Sequence, residues 1–110
     1  MGMISDTLRL HQLQGRKMDL QFKISEITST KSSLVSAGDD LMKVGTDYDP
    51  DSPVMKTLQQ RQAKIKIMEE RLNQQMQEYQ IQLEMVEAEY GQVRQRLSQE
   101  IREEMSYSLA

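Results

Sequence analysis

Leu13, Leu20, Ile27, Leu34 and Leu41 recur every seven residues, and Leu10 and Ile24 occupy intervening seam positions. Apolar side chains held in phase over five heptads form one stripe along an α-helix. A strand, whose side chains alternate with period two, makes no use of that spacing. The repeat predicts a first helix over 5–44. Ser5 or Asp6 can accept a hydrogen bond from the open amides of its first turn. Its weak stretch is Thr28-Ser29-Thr30-Lys31-Ser32-Ser33, where five hydroxyls compete for backbone partners, with Ala37-Gly38-Asp39-Asp40 soon after. A bend or local fraying is expected at 28–33.

The pattern stops at Gly45-Thr46-Asp47-Tyr48-Asp49-Pro50-Asp51-Ser52-Pro53. Gly45 suits a left-handed C-terminal cap, and the proline after Asp49 disfavours helix there. Ser52-Pro53 reads as an N-cap followed by proline in the first helical position. A loop over 45–52 returns the chain antiparallel and is too short for a parallel return. A second helix is predicted over 53–107. Leu58, Ile65, Leu72, Tyr79, Val86 and Val93 recur every seven residues, and the companion row is Met55, Gln62, Glu69, Met76, Leu83, Tyr90 and Leu97. After Val93 the apolar spacing becomes four (Leu97, Ile101, Met105), which drifts the stripe around the helix. The seam is therefore expected to end or change partner near Leu97. The fold class that follows is all-α, an antiparallel two-helix coiled-coil hairpin in a single domain over 1–110, with an extended C-terminal helix. The intrachain seam consists of Leu13, Leu20, Ile27, Leu34, Leu41, Leu58, Ile65, Leu72, Tyr79 and Val86.

Composition agrees with long solvated helices. Charged residues make up 28% of the 110 positions and glutamine supplies 14 more, against five glycines and two prolines. With no cysteine, disulfide scaffolds and thiolate metal or redox sites are excluded. A net charge of −3 argues against general nucleic-acid binding, which relies on basic phosphate contacts. No segment approaches the roughly 20 apolar residues of a membrane span. The N-terminus has no basic region followed by an apolar one, so the expected location is cytoplasmic, or exported without a cleaved leader.

Candidate chemistry is sparse. Asp47, Asp49 and Asp51 have the opening spacing of a calcium loop, but Ser52 and Leu58 stand where that loop needs glycine and a bidentate glutamate. They read instead as loop carboxylates near the start of the second helix, where the dipole favours negative charge. His11 is the sole imidazole and lacks partners for a metal site or a triad. Glu69-Glu70 and Glu103-Glu104 project in different directions from a helix and cannot converge on one bond. No catalytic residue, no cofactor and no metal are expected, and the chain reads as no enzyme.

At ~1.5 Å per residue the first helix is roughly 60 Å long and the second roughly 80 Å. Folded antiparallel, the first runs out of partner near residue 92. The last 18 residues then overhang with Leu97, Ile101 and Met105 uncovered. Ile67, Met68, Ile81, Met85 and Ala88 lie largely away from the seam. A two-helix hairpin buries one stripe per helix, so this surplus points to self-assembly or to another helical protein as partner. The expected assembly interface sets Leu97, Ile101 and Met105 of one copy on Ile67, Met68, Ile81 and Met85 of another. Such a contact is heterologous, and if it does not close it generates a filament.

The turn Asp49-Pro50-Asp51-Ser52-Pro53 and the apolar helix after it resemble the needle subunits of type III secretion systems. Those are small helical hairpins with a Pro-Ser-Asp-Pro-like turn. The resemblance implies a subunit that polymerises into a hollow helical filament of a bacterial secretion apparatus. The alternative is an export chaperone or tether that holds a partner helix on the same apolar stripe.

Overall fold

The computed structural model describes residues 2–109. Two helices make up the architecture: α1 over Met3–Gly45 and α2 over Pro53–Leu109, with no strand among the described residues. They form an antiparallel hairpin. Among the described residues no helix is long and apolar enough to cross a membrane.

The positions of α1 shielded from solvent are 3, 6, 10, 13, 17, 20, 24, 27, 31, 34, 38, 41 and 45, a strict alternation of steps of three and four. In α2 the same alternation runs from 55 through 58, 62 and 65 to 93, 97 and 100. This is the 3.5-residue period of a coiled-coil seam. α1 is helical throughout 28–33, so the fraying expected there as one of two outcomes does not occur. The Thr28 hydroxyl donates to the Ile24 carbonyl at 2.9 Å and the Ser33 hydroxyl to the Ser29 carbonyl at 3.2 Å. The hydroxyls thereby use carbonyls one turn back without breaking the ladder.

Helix boundaries follow local chemistry. Ser52 caps α2 as its sequence predicts, its Oγ accepting a bond from the Met55 amide at 3.2 Å. Gly45, in contrast, is the last residue of α1 and has no positive φ, so the expected left-handed cap is corrected. The end is tied off by turn bonds: the Asp47 amide donates to the Val44 carbonyl, the Tyr48 amide to Gly45, and the Thr46 hydroxyl to Lys43. Gly45 faces the start of α2 with room to spare. A β-carbon there would lie 3.7 Å from the Met55 side chain.

The chain divides into two compact units. The loop unit, Ile24–Glu78, is thinly packed. Ile27 and Leu58 are buried, whereas Leu34, Leu41, Ile65 and Leu72 are half-buried, and Lys31, Gln62 and Glu69 take seam positions. Gly38 faces Ile65 beside a recess of about 360 Å³ lined by Val35, Met42 and Gln62. A β-carbon at Gly38 would sit 3.8 Å from Ile65 Cγ2, an ordinary van der Waals distance. Gly38→Ala is therefore expected to stabilise the protein by about 1 kcal/mol, through helix propensity and a less flexible unfolded chain. Urea denaturation of the two proteins side by side checks this.

The end unit combines the residues up to Lys23 with those from Tyr79 on. Its core is Leu13, Leu20, Val86 and Val93, flanked by Leu10, Tyr79, Leu83 and Tyr90. Leu13 is 1% exposed. The rim is charged: Arg9 Nη2 lies 2.6 Å from Glu89, Lys17 Nζ lies 4.0 Å from Glu87, and Lys23 Nζ stands 5.4 Å over the Tyr79 ring. These pairs join the two helices but are solvent-exposed, so each contributes little to stability.

Candidate assembly interface

The seam of the end unit ends one step past Leu97. It continues through Leu97, which is half-buried, to Glu100, and Leu97 is thereby corrected from an assembly residue to a seam residue. The step of four suggested by Leu97, Ile101 and Met105 is overridden because α1 begins at Met3 and extends far enough to cover Arg96 and Glu100. Pairing at the other end of the helices, within the loop unit, starts where Gly45 meets Met55 and Leu58, beyond Pro53. Both shifts shorten the expected overhang. Every described residue from 101 on is exposed, including Ile101, Met105, Tyr107 and Leu109.

A polar cluster ends the seam, and sequence reasoning missed it. Asp6 occupies a seam position and is 1% exposed, so it is not the helix cap expected of it. Its carboxylate accepts from Arg96 Nη2 at 2.7 Å and from Arg96 Nε at 3.1 Å. This two-point geometry suits a guanidinium. The Arg96 bond holds the Asp6 carboxyl below its ordinary pKa, against the opposing effect of burial. Glu100 is pushed the other way. Burial raises it first, and its hydrogen bond with Asp6 and the charge of Asp6 add to the rise. The buried Oε2 of Glu100 has no hydrogen-bond partner. Asp6 is thus shared between Arg96, which favours its ionised form, and Glu100, whose own ionisation the Asp6 charge opposes.

The remaining assembly residues stand clear of the seam. Ile67 and Met68 are exposed in the loop unit, and Ile81, Met85, Ile101 and Met105 in the end unit. Ile81 and Met85 are four apart and share one face of α2, with Met85 and Ala88 bordering a recess of about 430 Å³. Leu13, Leu20, Ile27, Leu58 and Val86 are buried, and Leu34, Leu41, Ile65, Leu72 and Tyr79 are half-buried. His11 and the carboxylates of Asp47, Asp49 and Asp51 are exposed, and no group of three His, Cys, Asp or Glu among the described residues is placed to hold a metal ion. α1 also has exposed apolar side chains that the sequence reading passed over: Ile4, Leu8, Met18 and Phe22. No family model matches the chain, and no curated protein or solved structure is similar to it.

Proposed function

We propose that the chain is a non-enzymatic structural protein that self-assembles through helical contacts, as a filament subunit of the kind the needle-like turn suggests. The observation that supports this is the surplus of exposed apolar surface on α2 beside a seam that is already paired within the chain. Ile81 and Met85 form one exposed patch, and Ile101, Met105 and Leu109 line the uncovered helix end. The uncovered end of one copy docks on the α2 patch of the next, a head-to-tail contact that repeats without closing. A second reading, a chaperone or tether for a helical partner, draws on the exposed Met68, Met85 and Met105, whose flexible side chains suit adaptable surfaces.

Light scattering coupled to size exclusion over a hundredfold concentration range, with electron micrographs of the largest fraction, tests the first reading. The wild-type chain is expected to grow with concentration. The variant combining Ile101→Asp and Met105→Asp, both at exposed positions, is expected to remain small while keeping its helical circular dichroism. A wild-type chain of one fixed size at every concentration overturns self-assembly and leaves the tether reading.

A further inference from the structure

The outward face of α1 in the end unit carries a second stripe with coiled-coil spacing. Ile4, Leu8, Met18 and Phe22 are 80%, 59%, 61% and 65% exposed, and with His11 and Gly15 they complete the series 4, 8, 11, 15, 18, 22. Its steps alternate four and three, as in the seam. Each member lies one or two residues after a seam position, which turns the stripe about 150° away from α2. Single exposed apolar residues are ordinary on any surface, but a heptad-spaced row of them is the complement of another helix.

The composition of the row selects that helix. If two copies of α1 lie antiparallel about a two-fold axis at residue 13, opposing positions add to 26. Phe22 then covers Ile4, Met18 covers Leu8, and His11 covers Gly15, each twice. A β-carbon built at Gly15 meets nothing within 4 Å, so the imidazole has open space above it. A parallel pairing would set Gly15 against Gly15 and leave a hole, with histidine against histidine one layer away. The flanks agree with the antiparallel register. Ser5, Gln12 and Asp19 border one edge, where Asp19 lies nearest Ser5 and Gln12 nearest Gln12 of the other copy, two residues from level, and the other edge has Thr7, Gln14 and Gln21. No like charges oppose each other, and a strongly charged partner helix would find a single charge, Asp19, along these edges.

We propose that this stripe is a self-pairing surface, through which two copies of the chain join antiparallel about residue 13. The proposal rests on the self-assembly reading and adds to it a second, isologous joint, distinct from the head-to-tail contact of the α2 end.

The chain has no cysteine, so introduced thiols are the only ones present. Leu8→Cys and Met18→Cys are made separately, each in the chain that also carries Ile101→Asp and Met105→Asp, so that the α2 joint does not contribute. Both sites are exposed and outside the seam, so the fold tolerates them. On mild oxidation, the mixture of the two is expected to give disulfide-linked dimers at least roughly tenfold faster than either variant alone, because residue 8 meets residue 18 of the other copy while like positions are held apart. Cross-linking of either variant alone as fast as the mixture overturns the register, and no cross-linking in any sample overturns the joint. Neither failure bears on self-assembly itself, which the light scattering of the unmodified chain decides independently.

Discussion

Leu13→Ala is expected to lower the unfolding free energy by about 2–5 kcal/mol, the largest effect of any single truncation in the seam. Leu13 is 1% exposed and packs among Leu20, Val86 and Val93, so removing its isobutyl group leaves a cavity between two helices that have little else to hold them together. A two-helix seam has no second layer that can collapse into the gap. The same change at Leu41, half-buried in the loop unit beside glycine and polar seam positions, is expected to cost about 1 kcal/mol. Urea denaturation followed by circular dichroism measures both, and equal losses at the two sites would mean that the end unit is no better packed than the loop unit.

The polar end of the seam gives a pH dependence with two arms of opposite sign. Asp6 has a folded pKa below its ordinary 3.8 because Arg96 binds the carboxylate, so its contribution is present above that value and is lost as pH falls through the lower folded one. Glu100 has a folded pKa above its ordinary 4.5 because it is buried beside Asp6. Its contribution is complete below 4.5 and is lost as pH rises through the raised value. Stability therefore peaks in mild acid and declines on both sides. Above the ordinary glutamate range the unfolded chain ionises Glu100 more readily than the folded one, which costs stability. Glu100→Gln is expected to raise the thermal midpoint at pH about 7 and to merge with the wild type below the ordinary glutamate range, since the amide resembles the protonated acid. Asp6→Asn removes the acid arm and leaves Arg96 without its counter-charge, so it is expected to be the more damaging change at neutral pH. Thermal melts from about pH 3 to pH 8 decide the matter. A glutamine variant less stable than the wild type at neutral pH would mean that Glu100 is ionised and stabilised by Arg96.

The hairpin was legible because five heptads of leucine and isoleucine, a proline-bounded break and a serine cap all pointed to the same structure. The ends of the seam were not, for a physical reason. Aspartate near a helix start ordinarily caps it, and nothing local distinguishes a capping Asp6 from one carried by the heptad into the seam, where its partner is 90 residues away. The register itself was set by Gly45 against Met55 and Leu58, a contact that no spacing within either helix discloses. That small displacement lets α1 reach Leu97 and Glu100 and leaves Ile101 and Met105 exposed beyond them. Ile4, Leu8, Met18 and Phe22 went unnoticed as a row because His11 and Gly15 interrupt its apolar character.

The contacts that define the better-packed unit join the most distant parts of the chain. Arg9 meets Glu89 across 80 residues and Arg96 meets Asp6 across 90, while the contacts nearest the turn are made by glycines and half-buried side chains. Helical proteins usually fold fast because their contacts are local, and here the rewarding contacts arrive only after a long loop has closed. The chain therefore combines local helices with packing contacts of long sequence separation. Its first helix leaves the ribosome with two exposed apolar stripes and waits for most of α2 to be synthesised before either half of its best-packed unit can form.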